Sequence, residues 1–310
     1  MASAPQRHRP PPQSTVIESV GQASRLFAVT KRLFSSQTVA RSYSMKRIGV
    51  MFAIAVLITI GIFTIGPVSS LFTALAQPAS TYSENAGSSA PVLVELFTSE
   101  GCSSCPPADA LLAQIAQQQP NVIVLSEHVT YWNHLGWRDP FSSQESTDRQ
   151  AAYVARMGLN SSYTPQMVVN GRYEFVGSDG HAATQVLRRA ATAEQVPINI
   201  SNVALSADRH VHFDVEVDEV KMETALFAVL AQDEGSEHVA NGENGGKTLR
   251  HVQIARRFQQ VASIRKGSSF HGSQTMDLPE PVAGSGWHLV VFLQQGLGRP
   301  IIGAVSQPIH

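Results

Sequence analysis

The chain of 310 residues contains two cysteines, and they stand close together as Cys102-Ser103-Ser104-Cys105. An apolar run, Val92 to Phe97, precedes them and a segment with helical spacing follows, so the pair falls between a strand and the start of a helix. A helix amino terminus carries unpaired N–H groups and a partial positive charge. Both favour a thiolate over a thiol, which points to Cys102, expected at the exposed end, as a nucleophile toward disulfides. Cys105 is then the thiol that resolves the mixed disulfide. Pro106 and Pro107 suit the first helical turn, although they remove donors near the sulfurs. A purely structural disulfide and a metal site are the other readings. The first is weakened because so short a loop gains little chain-entropy stabilisation. The second is weakened because two thiols rarely complete a metal site, and neither His128 nor His134 has a convincing ligand spacing.

Glu95 is the lone acid of the run Val92-Leu93-Val94-Glu95-Leu96-Phe97. In a strand buried on both faces its carboxyl would be desolvated and its pKa raised, which suits a proton shuttle to Cys105. The competing reading is a solvent-facing acid at a strand edge. Glu127 is a lesser candidate of the same kind. Residues 128–141 carry Tyr131, Trp132, Trp137 and Phe141. Trp132 and Trp137 are expected to form a wall of a substrate groove, or else to anchor a packed loop. The turn-rich stretch 241–251 reads as a hairpin leading into a solvated basic strand. No metal and no cofactor are expected.

The elements that position these residues follow from pattern. Leu111, Leu112 and Ile115 mark a helix broken at Pro120, and Val122 to Ser126 is a second short strand. Ser142 or Ser143 can cap a helix reaching Met157, with Gly158 as its stop. Met167–Val169 and Tyr173–Val176 flank the hairpin turn Asn170-Gly171. Asp179 can cap a last helix, 180–194. The expected fold of 91–196 is thus an α/β domain of order β-α-β-α-β-β-α, its first strands parallel. From Pro197 on, alternating apolar residues such as Val211, Phe213, Val215 and Val217 predict a separate antiparallel all-β domain, 197–310, of sandwich type. The segment 250–262 is ambiguous between helix and strand.

Strand, CxxC, helix, strand, helix, X-Pro, hairpin and helix together resemble the thioredoxin fold. The resemblance implies that Pro165 is a cis proline packed beside the cysteines and that the Thr164 backbone pairs with a bound substrate strand. An ordinary trans proline at a strand start is the alternative. The segments VELFTSEGCSSCPPAD (94–109), HVTYWNHLGWRDPFSS, RQAAYVARMG and YTPQMVVNGR (within 128–172), and GENGGKTLRHVQIARR (242–257) are more specific. They resemble an exported bacterial thioredoxin-like family catalogued as domain-of-unknown-function family 1223. That resemblance implies a thioredoxin-like fold and an exported location, and no established activity.

Composition narrows the partners. Hydrophobic residues make up 43% and charged residues 15%, which is a globular balance with room for about two domains. Residues 1–76 hold eight basic groups and one acid, leaving 15 basic and 23 acidic groups, a charge of −8, in the remainder. An acidic body argues against nucleic-acid binding. Ile48–Gly66 carries no charge, follows Lys46-Arg47 and precedes Ala74-Leu75-Ala76. This is an export signal cleaved near Ala76 or an uncleaved anchor spanning 46–76, the only expected membrane contact. Translation starting at Met45 would leave 1–44 as an over-extended start, and 77–90 reads as a linker. The function expected is a periplasmic or secreted thiol–disulfide oxidoreductase acting on protein or peptide thiols with a redox partner protein. The alternative is a secreted, non-enzymatic binding module braced by its disulfide.

Overall fold

The computed structural model describes residues 91–281 and 284–310. The expected extension 1–44, signal 45–76 and linker 77–90 lie outside these residues. Strand β1 (Val92–Thr98) is buried along its whole length, as its mostly apolar run, broken by Glu95, suits in a strand covered on both faces. Helix α1 (Pro106–Gln118) starts with its two prolines in the first turn, where a missing N–H costs nothing. Strand β2 (Val122–His128) leads into a 3-10 helix (Thr130–Leu135). Helix α2 (Gln144–Met157) is capped by Ser143, whose Oγ accepts the Ser146 N–H, and ends at Gly158 with φ +70°. Strands β3 (Gln166–Val169) and β4 (Tyr173–Val176) form a hairpin, and helix α3 (Gly180–Ala190) is capped by Asp179.

The remaining chain is strand: β5 (Ile198–Leu205), β6 (His210–Val217), β7 (Thr224–His238), β8 (Thr248–Ile264), β9 (Phe270–Asp277), β10 (Trp287–Gln294) and β11 (Ile301–Pro308). The expected division into an α/β thioredoxin-like domain and a separate all-β domain is corrected here. The molecule is mostly β, and one mixed eight-stranded sheet runs β11-β10-β7-β8-β2-β1-β3-β4 across the expected boundary at residue 197. The join is a parallel contact of β2 with β8 at Ser126 and Ile254. Without it the outer edge of β2 would present unpaired backbone groups. The expectation of parallel first strands is met by β1 and β2 only; β3 enters with Gln166 opposite Phe97 and runs antiparallel to β1.

Segment 250–262 is strand, and its ambiguity has a physical cause. The β7–β8 ladder shifts register at Leu226/Phe227 and at Leu230/Ala231, and Gln253 sits at φ +47°. Each irregularity resets the inward–outward alternation, so the period of two is lost. The three-stranded sheet β5-β6-β9 packs over β7 and β10 through Val211, Phe213, Leu226, Leu230, Leu289 and Val291. On the other side of the boundary, Val94 and Leu96 of β1 pack with Ala108 and Leu112 of α1. Phe97 faces the other way, against Tyr153 of α2. Strand alternation therefore assigns α1 and α2 to opposite faces of β1.

Candidate functional site

The loop after β1 delivers the cysteines to the start of α1. Cys102 and Cys105 are joined in a disulfide with Cα atoms 5.4 Å apart. The Cys102 N–H donates to the Ser99 carbonyl and the Cys105 N–H to the Cys102 carbonyl, which winds the loop into turns. Cys105 is the N-cap, and its own carbonyl accepts from Ala108 and Asp109. With two prolines next in the chain, few backbone donors are left free for the sulfurs.

Both cysteines are 0% exposed, whereas Ser103 and Ser104 are exposed. This corrects the expectation that Cys102 stands open at the helix start. Three groups pack on or bond to the loop that carries the pair. Trp132, on the 3-10 helix, packs on Gly101, where an added Cβ would lie 3.1 Å from the Trp132 Cβ. Its Nε1 donates to Thr164 Oγ1 at 2.8 Å, and the next peptide bond, Thr164–Pro165, is cis. Trp137 Nε1 donates to Glu100 Oε2 at 2.8 Å. Both indoles are half-buried and both are tied to the cysteine loop or to the residue before Pro165.

The third group comes from the far end of the chain. A strap between β7 and β8, residues 239–247, folds over the cysteine loop. Buried Asn244 donates from Nδ2 to the carbonyls of Glu100 and Cys102, each at 2.9 Å. Glu243 Oε2 accepts the Ser103 N–H at 3.1 Å, and this hydrogen bonding holds the Glu243 carboxyl below its ordinary pKa. Gly242, at φ +79°, lets the strap approach the Trp137 Cβ. The sequence reading of 241–251 as a hairpin with a solvated strand missed both residues. Its turn signals were legible, but their contacts cross some 140 positions.

Glu95 is fully buried, on the face turned toward α2. Its Oε1 accepts from Arg149 Nε, and its Oε2 accepts from Tyr153 at 2.5 Å. The structure thus brings Glu95 to Arg149 and Tyr153 rather than to α1 and the cysteines. Glu127 lies 3.5 Å from Arg149 Nε. Burial first, then the neighbouring Glu95 charge, pushes its carboxyl well above the ordinary range. Arg149 also lies over the Phe292 and Tyr153 rings, so it is held by charge and by packing.

On the α1 side lies a second buried polar cluster that the sequence reading did not find. Asp139 accepts from the Glu100 N–H and the Phe141 N–H at 2.9 Å each, and meets His128 Nδ1 at 2.7 Å. Burial works to raise the Asp139 carboxyl, but His128 and these donors outweigh it and hold it below its ordinary value. His251 of β8 stacks edge-on to His128 with ring centroids 4.4 Å apart. Its Nε2 is 3.4 Å from Glu100 and its Nδ1 3.8 Å from Asp109. Burial alone would lower His251, but these two carboxylates raise it to about 10. His134 is exposed. Among the described residues no group of three or more His, Cys, Asp and Glu has a metal-holding arrangement.

The description "Protein of unknown function (DUF1223)" matches residues 93–294. A crystal structure of an Agrobacterium tumefaciens protein is similar at 28% identity and TM-score 0.54, covering 70% of this chain and 94% of that one. HBP35 of Porphyromonas gingivalis is similar at 16% identity and TM-score 0.52, covering 71% and 75%, a likeness of fold alone. No curated protein matches the chain.

Proposed function

The chain belongs to the family described as protein of unknown function (DUF1223), and we propose that it carries out thiol–disulfide exchange at Cys102 and Cys105. The observation that carries this reading is the placement of the disulfide at the N-cap of α1, bridged by the exposed Ser103-Ser104 and flanked by Trp132, Trp137 and Thr164. With the pair reduced, the Cys102 thiolate attacks a partner disulfide and one partner sulfur leaves; Cys105 then attacks Cys102 in the mixed disulfide, which releases the second partner sulfur as a thiol and re-forms the Cys102–Cys105 disulfide. Because both sulfurs are covered, exchange requires the strap at Asn244 to move first. Trp132 and Trp137 then form one wall of the opened groove, where rigid aromatic surface offers contact area at little ordering cost.

The partners are protein thiols and disulfides outside the cytoplasm, reached by export through residues 45–76. Sequencing the mature amino terminus tests that location, with a start near Gln77 expected. The exchange itself is tested by trapping. Cys105→Ala leaves Cys102 unable to be resolved and should accumulate mixed disulfides with exported proteins, whereas Cys102→Ser should accumulate none. Absence of any mixed disulfide from Cys105→Ala under oxidising and reducing conditions refutes the proposal.

One observation favours a second reading, a binding module braced by its disulfide: neither sulfur is exposed. A brace of that kind resists reduction in the folded protein, and an exchanging pair does not.

A further inference from the structure

Cys105 caps α1 in helical dihedrals (φ −79°, ψ −37°), and Asp109 stands four residues on. Side chains at that spacing share a helix face, with Cβ atoms about 5–6 Å apart. Both residues are buried, at 0% and 8% exposure. Asp109 Oδ1 accepts from Thr98 Oγ1 at 2.9 Å and lies 3.8 Å from His251 Nδ1. His251 Nε2 in turn lies 3.4 Å from Oε1 of Glu100, two residues before Cys102. The disulfide is thus bracketed along the chain by two carboxylates that share one buried imidazole.

Neither nitrogen of His251 has a well-aligned hydrogen-bond partner within the protein, and Glu100 Oε1 has none there. Buried polar groups left in that state are rare and call for a reason. Asp109 and His251 also line a cleft of about 770 Å³ between α1 and the β7–β8 hairpin, together with Gln117, Glu234 and Arg250. None of the residues that pack on or bond to the cysteine loop, Trp132, Trp137, Glu243 and Asn244, lines this cleft. The buried imidazole therefore has a route to water separate from the covered face of the disulfide.

We propose that Asp109 carries the proton for the Cys105 sulfur, that His251 positions and recharges it, and that the cleft beside α1 supplies protons from solvent. This rests on the exchange reading and adds the route of the proton to it. The need is chemical: a thiolate formed on a buried sulfur lacks hydration and must be neutralised as it forms. A dithiol donor first loses one proton to water, and its thiolate attacks Cys102 Sγ. The Cys102–Cys105 bond breaks, and its electron pair leaves on Cys105 Sγ. The His251 imidazolium passes its proton through Asp109 to that sulfur and regains one from the cleft. The donor's second thiol loses its proton to water and attacks the mixed disulfide. Cys102 leaves as thiolate and takes a proton from water, and the donor ends as a disulfide. Two electrons and two protons pass from donor to pair.

The groups facing His251 are Glu100 from the cysteine loop, Asp109 from α1, His128 from β2, and Asp139. Their carboxylates keep the imidazole cationic at neutral pH, which is the state a proton donor needs.

The test is reduction of the oxidised full chain by dithiothreitol, with the rate divided by the concentration of dithiothreitol thiolate at each pH. Asp109→Asn should lower the rate about a hundredfold, the scale of a general acid. For the wild type, the normalised rate should fall as the His251 imidazolium deprotonates, and His251→Gln should abolish that fall, which a merely structural role would not do. If Asp109→Asn does not fold, Asp109→Glu carries the test, with about a tenfold loss expected from a carboxyl displaced by one methylene. A wild-type rate in whichever Asp109 variant folds overturns the relay while leaving the exchange reading intact. A wild-type disulfide that dithiothreitol never reduces overturns both.

Discussion

Replacing Asn244 with alanine removes two of the strap's hydrogen bonds to the cysteine loop and leaves the one at Glu243. One Nδ2 donates to two buried carbonyls, those of Glu100 and Cys102, at 2.9 Å each. Alanine leaves both carbonyls without that partner, a loss of about 1–3 kcal/mol for buried groups. If the sulfurs are reached only when the strap opens, the open fraction rises by the same free energy, about 5- to 150-fold, since each 1.4 kcal/mol is a factor of ten. Reduction by dithiothreitol, followed under conditions where opening is faster than attack, should accelerate by that factor. Denaturant unfolding should meanwhile show a loss of stability of the same size. An Asn244→Ala protein that loses stability but is reduced at the wild-type rate would refute the strap as the gate.

Other consequences are equally open to measurement. Trp137→Phe keeps an aromatic side chain but removes the 2.8 Å bond to buried Glu100, so exchange with a peptide disulfide should weaken while stability falls by about 1.5–3 kcal/mol; a peptide exchange rate equal to wild type counts against the groove. His251, raised to about 10 in the folded chain, stabilises fully below its unfolded value near 6.5 and loses that contribution as pH rises to about 10. Urea midpoints should therefore fall across that window, and His251→Gln should flatten the slope. Glu95→Gln strips Arg149 of its closest counter-charge in a buried site and should cost about 3–5 kcal/mol, while leaving the pH profile of dithiothreitol reduction unchanged. Glu127 is held well above its ordinary pKa, so it opposes folding as pH rises above its unfolded value. Glu127→Gln should remove that loss, visible as a higher melting temperature at neutral pH.

Local signals were legible in the sequence because each rests on a few adjacent residues. Ser143 and Asp179 cap their helices, Gly158 ends α2 and Asn170-Gly171 turns β3 into β4. The cysteine pair at the head of α1 is of the same kind. What was not legible depends on contacts between distant segments. The placement of β8 beside β2 makes one sheet of two expected domains, and the bulges in the β7–β8 ladder hid the strand's period. Arg149 lies in α2 between Asp148 and Gln150, and only the packing of α2 on β1 buries it against Glu95. His251 follows Lys247 and Arg250 and reads as part of a basic surface, yet it closes the cluster beside Asp109. Asn244 looks like a turn residue, and only its partners 142 and 144 positions away make it a clamp.

The central claim is that the Cys102–Cys105 pair exchanges in the folded protein. Its most direct test is equilibration of the folded chain in graded thiol–disulfide buffers, with the fraction of reduced pair read by alkylation and mass. The account predicts a reversible two-electron titration with a midpoint between about −120 and −270 mV, the range of exchanging pairs. A pair that stays oxidised in the folded chain to below about −300 mV, as structural disulfides do, would contradict it.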